Sequence, residues 1–210
     1  MINRLISTAL SGAERVFHFC YYQSWRLGLW TPADRRFLTE KIFAFFSADM
    51  SVEKILFVGT HAYTKSYERF FARQTFVTID RDPCMSKFGA RQHKTLDVTT
   101  MNESGYDVVM LNGVIGHGLD SVLHISLAVE RLRRALKPGG WLVVGTNRDG
   151  FSRDVDALFS RFFKRVSFPP TSQEMHRFSF PLTSQVHEYR FFRFQDHFSG
   201  ALNDIATAKT

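Results

Sequence analysis

From Lys54 onward, short apolar runs alternate with longer stretches of helical periodicity. The runs are Ile55–Val58, Phe76–Ile79, Tyr106–Leu111 and Trp141–Val144. Continuous apolar runs separated by helical segments predict a mostly parallel sheet with helices on both faces, because each strand must be buried on two sides. The segment Ser121–Leu136 repeats Leu123, Leu127, Leu132 and Leu136 on a related face and runs into Lys137-Pro138-Gly139-Gly140. Proline and glycine end the predicted helix there, and the next strand is expected to start at Trp141. A helix around Asp154–Phe163 follows, then strands over Lys164–Phe168 and Val186–Phe194, the second with clear alternation. The proline-punctuated stretch Phe168–Thr183 between them reads as a loop, and the residues after Asp196 as a loose tail.

The first fifty residues read differently. Apolar positions recur at helical spacing through Leu5, Leu10, Val16 and Phe17, followed by an aromatic stretch from Phe19 to Trp30. Thr31-Pro32 looks like a stop and restart, with Thr31 as N-cap and Pro32 in the first turn of a helix reaching Phe46. The expected organisation is therefore a helical cap over 1–50, an α/β domain over 51–196 and a tail over 197–210. Tyr21, Tyr22, Trp25 and Trp30 are candidates for a lid over the site.

Composition narrows the class. The chain has 22 phenylalanines, several in doublets (Phe45-Phe46, Phe70-Phe71, Phe162-Phe163, Phe191-Phe192), as expected where one ring enters the core and its neighbour stays at a boundary. Cys20 and Cys84 are too few for a disulfide framework and lack zinc-site spacing, so both read as free thiols in a reducing compartment and no metal is expected. No apolar run reaches the ~18 residues of a membrane span, and the N-terminus lacks the pattern of a cleaved leader, so the expected location is the cytoplasm. The net charge of +7 is scattered along the chain rather than gathered in blocks, which argues against a nucleic-acid partner.

Ligands of open α/β sheets bind beyond the carboxyl ends of the strands, so residues just after each strand are the informative ones. Gly59 after the first strand would let the backbone approach a ligand, with Thr60, His61 and Tyr63 beside it. Asp80 ends the second strand about twenty residues later, the position from which a carboxylate bonds ribose hydroxyls in dinucleotide folds. Asp82, two residues on, reads as a local cap. Asp97 could bond an adenine amino group while Val98 packs on the ring. Asn112 and Gly113 begin a turn containing two further glycines and His117, which suits a pocket wall. His93 falls at the start of a short third strand.

In order, Ile55-Leu56-Phe57-Val58-Gly59, Thr78-Ile79-Asp80, Tyr106-Asp107-Val108-Val109-Met110-Leu111-Asn112 and Leu136-Lys137-Pro138-Gly139-Gly140-Trp141-Leu142 resemble motifs of the class I S-adenosylmethionine-dependent methyltransferase superfamily, over roughly Lys54–Arg148. The resemblance implies a Rossmann-like doubly wound sheet of seven strands with an antiparallel last strand, and extra N-terminal helices here. It also implies S-adenosylmethionine as cofactor, bound by Gly59, Thr60, Tyr63, Asp80, Asp97, Val98, Asn112 and Gly113. His117 maps onto a position that often carries a histidine in small-molecule members, where it could take a proton as methyl transfer proceeds. One departure is plain: the Gly-x-Gly-x-Gly loop keeps only Gly59. The function implied is methyl transfer to a small or medium organic acceptor at oxygen or nitrogen. The alternatives are a non-catalytic binding or scaffold protein whose glycine loop has decayed, or a nucleic-acid methyltransferase, against which Asn112-Gly113-Val114-Ile115 lacks the Asn/Asp-Pro-Pro-aromatic pattern. A nicotinamide-dependent oxidoreductase would want a Gly-x-Gly-x-x-Gly loop.

Overall fold

The protein is described by a computed structural model over residues 31–147, 153–179 and 186–195. The predicted helices before Thr31, the aromatic lid candidates, Cys20 and the tail lie outside the described residues. Eight strands form one sheet: β1 (Lys54–Val58), β2 (Thr75–Asp80), β3 (Gln92–Thr95), β4 (Tyr106–Asn112), β5 (Leu136–Asn147), β6 (Phe163–Arg165), β7 (Met175–Ser179) and β8 (Val186–Phe194). Their order is β3-β2-β1-β4-β5-β8-β6, with β7 also paired to β8. The strands from β3 to β5 run parallel, and β8 is antiparallel to β5, β6 and β7. The order reverses between β1 and β4, which opens a crevice at the carboxyl ends of those strands.

Two apolar layers hold the sheet. One face packs Val109, Leu111 and Val144 against α3 (Val122–Ala135) and α4 (Arg153–Ser160), through Ile125, Val129, Leu132 and Phe159. The other packs Met110, Val143 and Phe191 against α1 (Ala33–Phe37), a π-helical segment Leu38–Phe43 and α2 (Ala44–Ala48), with Tyr67 and Phe71 alongside. In three Phe doublets one ring is buried and its neighbour half-buried. Phe191 and Phe192 are both buried, because β8 is covered on both faces.

Several expectations need correction. The sheet has eight strands rather than seven, because Met175–Ser179, read as loop, pairs with Val186–Arg190 as an added edge strand. The crossovers after β1 and β2 are 3-10 segments (Thr64–Phe70 and Pro83–Phe88), and no helix joins β3 to β4, so only α3 is a full crossover helix in the parallel half. Pro83 and Gly89 bound the segment between β2 and β3, and the connection between β3 and β4 is short. Pro32, not Thr31, occupies the N-cap position of α1. In α3 the buried stripe is Ile125, Ala128, Val129, Leu132 and Ala135, while Leu123 and Leu127 stand exposed on the adjoining row. The alternative i, i+3, i+4 set starting at Ile125 wins because it faces the sheet. β5 begins at Leu136 rather than Trp141: a register shift against β4 absorbs Lys137–Gly140 as a bulge, where Lys137 bonds Asp107 at 2.7 Å. That turn sits at the amino ends of the strands, away from the crevice.

Ser121 caps α3, its hydroxyl accepting from the His124 amide at 3.2 Å. Ser121→Ala is expected to cost about 1 kcal/mol, read as a lowered urea midpoint at unchanged slope.

Candidate functional site

The crevice holds a cavity of about 740 Å³, within the usual range for small-molecule sites. The cofactor candidates and His117 line it: Gly59, Thr60 and Tyr63 after β1, Asp80 at the end of β2, Asp97 and Val98 after β3, and Asn112, Gly113 and His117 after β4. Arg81, Met85 and Leu96 complete much of the remaining wall. These positions are up to sixty residues apart in sequence and meet because β1, β2 and β4 end at one level.

The first turn depends on Gly59. Its φ is +88°, and a β-carbon there would stand 2.8 Å from Val114 Cγ2, so both backbone conformation and space require glycine. Thr60 stands one residue later, where the glycine pattern stops. Its amide donates to Asp80 Oδ2 at 2.7 Å and its hydroxyl to the same oxygen at 3.2 Å, so the carboxylate holds the turn that glycines usually shape. Asp80 Oδ1 accepts from the Asp82 amide at 2.9 Å. A carboxylate has about four acceptor sites, which leaves capacity for ligand hydroxyls. Asp82 accepts from the Cys84 amide at 2.8 Å and caps the next 3-10 turn, as expected.

Asp97 accepts from the Thr99 amide and hydroxyl through Oδ1. Burial alone would raise its pKa. The Thr99 hydrogen bonds outweigh this, helped by Arg81 and His124, and hold the carboxyl below its ordinary value. Arg81, which sequence reasoning missed, donates to the Gly118 carbonyl at 3.3 Å and ties the end of β2 to the turn after β4. That turn closes on itself through Gly116, His117 and Leu119, with positive φ at Gly113, Gly116 and Gly118. His93 lies in β3, its Nδ1 3.0 Å from the Thr78 hydroxyl, outside the cavity lining.

Asn112 is the most informative wall residue. It is 6% exposed, and neither amide atom has a hydrogen-bond partner. It sits opposite Gly145, which in turn pairs with Tyr189, so one row across β4, β5 and β8 has a glycine at its centre. With no side chain at Gly145, Asn112, Tyr189 and His187 converge over that spot. His117 stands at the exposed edge of the cavity, its Nε2 3.4 Å from Asn147 Nδ2. Asn147 Oδ1 in turn lies 3.3 Å from His187 Nδ1, so this one amide bridges the cavity edge to a buried histidine. Burial, with Arg35 nearby, pushes His187 down to about 3. Asn147, His187, Tyr189 and Arg35 were all missed. The available signal was Gly145 within the apolar run Trp141–Val144 and its continuation, since an internal strand glycine marks a close approach.

Among the described residues, no group of His, Cys, Asp and Glu is arranged to hold a metal ion, and no helix is long and apolar enough to cross a membrane.

The sheet order and the site at the carboxyl ends of β1, β2 and β4 define the class I S-adenosylmethionine-dependent methyltransferase fold, which this chain has. It is similar to the N-methyltransferase NodS from Bradyrhizobium japonicum, with a TM-score of 0.60 at 17% identity over 78% of this chain and 97% of that one. It is also similar to the 1,6-didemethyltoxoflavin-N1-methyltransferase of Burkholderia thailandensis (TM-score 0.53, 12% identity, 89% and 90% covered). A TehB-like methyltransferase from Corynebacterium glutamicum gives a TM-score of 0.52 at 15% identity over 86% and 100% of the two chains. No family model matches the sequence, and no curated relative matches it.

Proposed function

We propose that this protein is an S-adenosylmethionine-dependent methyltransferase acting at oxygen or nitrogen of a small or medium organic acceptor. The observation that carries the reading is the cavity itself, with the Gly59 turn, the Asp80 carboxylate and the unpartnered Asn112 amide facing one space. These residues fit the cofactor. Asp80 would take the ribose hydroxyls, Asp97 and Val98 the adenine, and Gly59, Thr60, Tyr63, Asn112 and Gly113 the remainder, Asn112 gaining partners for amide atoms that otherwise stay buried at a cost of about 1–3 kcal/mol each. The cofactor supplies a methyl group already activated on a sulfonium, so the protein's task is mainly to align an acceptor with it and exclude water. His117 lines the cavity at its exposed edge, and in this reading it would bond an acceptor hydroxyl or amine. The structures of NodS with S-adenosylhomocysteine and of the toxoflavin enzyme with the same product bound support this cofactor by analogy. The helical cap over 1–50 and a cytoplasmic location belong to the same proposal.

One observation favours a second reading, a non-catalytic scaffold: Asp80 Oδ2 already accepts two hydrogen bonds from Thr60. Calorimetry with S-adenosylmethionine and S-adenosylhomocysteine separates the two. Micromolar binding, about −8 kcal/mol, is expected for the wild type. Asp80→Ala should weaken it about 10- to 100-fold, the loss of charge-assisted hydrogen bonds, and Asp80→Asn, which retains the Thr60 contacts better, should fall between. A folded wild-type protein that binds neither compound sinks the enzyme reading in favour of the scaffold.

A further inference from the structure

A buried polar cluster adjoins the cofactor cavity and shares Asn112 and Tyr63 with it, while Arg35, Asp34, His187 and Tyr189 have none of the roles above. It lies on the sheet face covered by α1, at the carboxyl ends of β4 and β5 and the amino end of β8. Asn112, Tyr189 and His187 converge at Gly145, and Arg35 faces them from α1. Arg35 Nε faces Asp34 Oδ2 at 3.4 Å, and Nη2 donates to the Tyr63 hydroxyl at 3.1 Å, while Nη1 is buried without a partner. Tyr189 OH, His187 Nε2, both amide atoms of Asn112 and Asp34 Oδ1 are likewise buried and unpartnered. Tyr189 is fully buried and His187 3% exposed.

Such atoms are rare in folded proteins, because each forfeits its hydration without recovering a hydrogen bond. Six of them gathered from α1, β4 and β8 are not a packing device, since an apolar set of the same shape would be more stable. Their polarity is also defined. Asn147 Oδ1 can only accept, so His187 carries its proton on Nδ1 and presents a bare Nε2. In the same orientation Asn147 Nδ2 donates toward His117 Nε2, 3.4 Å away, so the amide links the two rings. Burial would weaken the Arg35 guanidinium's hold on its proton, but the phenols of Tyr63, Tyr189 and Tyr67 and the Asp34 carboxylate more than compensate, so it remains charged. Burial raises the pKa of Asp34 against the pull of Arg35, which equips that carboxyl to take up a proton when another anion arrives.

We infer that this cluster is the acceptor subsite and that it takes a small aromatic oxygen anion, a phenolate or a carboxylate, on Arg35 Nη1 and the Tyr189 hydroxyl. This deepens the proposed function and rests on it for the word acceptor. Asp34 and Tyr63 already occupy the Nε and Nη2 sides of the guanidinium, so Nη1 is the edge left for a ligand. Tyr63 spans the two sites: it lines the cofactor cavity, and its ring stacks on Arg35 with the guanidinium carbon 4.2 Å from the ring centroid. His61 stacks on Tyr63 at 4.8 Å and adds a second flat surface. The unpartnered acceptors Asp34 Oδ1 and His187 Nε2 suit a neutral O–H or N–H group elsewhere on the same acceptor molecule, while the Arg35 guanidinium beside them repels a protonated amine.

The test is to titrate 4-nitrophenol into protein saturated with S-adenosylhomocysteine, following the phenolate absorption band, with benzoate and benzylamine as competitors. Wild-type protein should bind the phenolate and shift the nitrophenol ionisation to lower pH, benzoate should compete, and benzylamine should not. Arg35→Met should weaken anion binding by at least about tenfold, the worth of 1.4 kcal/mol, and by more than it weakens S-adenosylhomocysteine, which Arg35 reaches only through Tyr63. Tyr189→Phe, which keeps the buried ring, should weaken it several-fold and covers the case in which Arg35→Met does not fold. Binding of benzoate alone or of nitrophenolate alone assigns the anion to that chemistry and sustains the site. Equal binding of benzylamine, unchanged anion affinity in both variants, or no anion binding overturns it. If S-adenosylhomocysteine itself fails to bind, the proposed function falls, while anion titration of the cofactor-free protein still reads the Arg35 site.

Discussion

Gly145→Ala is expected to lower stability by about 1–3 kcal/mol, the usual cost of forcing a group into a filled space. At about 2–4 °C per kcal/mol for a chain of this size, the melting temperature should fall by several degrees. The added β-carbon would overlap Asn112 Oδ1 and stand 2.8 Å from Tyr189 Cε1 and 3.0 Å from His187 Nε2. Tyr189 and His187 cannot retreat cheaply. Tyr189 is packed in the core beside Phe37 and Phe178, and His187 is held through Asn147. Asn112 is the one able to yield, and its only way out is toward the cofactor cavity it lines. The same substitution should therefore weaken S-adenosylhomocysteine binding as well as stability. A cycle with Asn112→Ala tests the cause: removing the amide should relieve the overlap, so the double variant should be more stable than the sum of the single losses implies. Strict additivity would show that the clash lies elsewhere.

Acid should unfold the protein through His187. A histidine whose folded pKa is about 3 refuses a proton that the unfolded chain accepts near pH 6.5, so the unfolded state binds more protons throughout that window. Stability is then greatest above pH 6.5 and falls as pH drops from 6.5 toward 3. By pH 5 the loss from this group alone should be about 2 kcal/mol. His187→Gln removes the titration while keeping a neutral polar side chain. Urea unfolding from pH 7.5 to 5 should show a steeper decline for wild type than for the variant, the two curves converging as acid removes the wild-type advantage. Parallel curves would mean that His187 is protonated in the folded protein without penalty, contrary to its burial.

Much of the fold was legible because the strands of the parallel half are buried on both faces, and continuous apolar runs announce that state. Val186–Phe194 was read to the residue from its apolar pattern, although β8 is buried on both faces rather than alternating. The candidate cofactor positions were legible for a related reason. Ligands in such sheets meet strand ends, and strand ends are marked in sequence by Gly59, Asp80 and Asn112 following apolar runs. What failed was whatever depended on relative stability between local alternatives. Met175–Ser179 carries weak strand signals and becomes β7 only because β8 offers an open edge. The Leu123–Leu127 row lost to the Ile125–Val129 row because the sheet lies on one side of α3 and not the other.

The buried polar cluster shows the limit most clearly. Arg35 lies on a helix, Asn112 ends one strand and Gly145 lies inside the next, and His187 and Tyr189 occupy an antiparallel strand far along the chain. Each alone reads as an ordinary residue of its element. The sequence by itself determined the alternation of strands and helices, the glycine turn and the acidic strand end, since these follow from local periodicity and backbone freedom. Only the tertiary structure decided which polar atoms lose water together, because register across β4, β5 and β8 brings Asn112, Gly145 and Tyr189 into one row. Desolvation is a property of the assembled environment, and no stretch of sequence contains it.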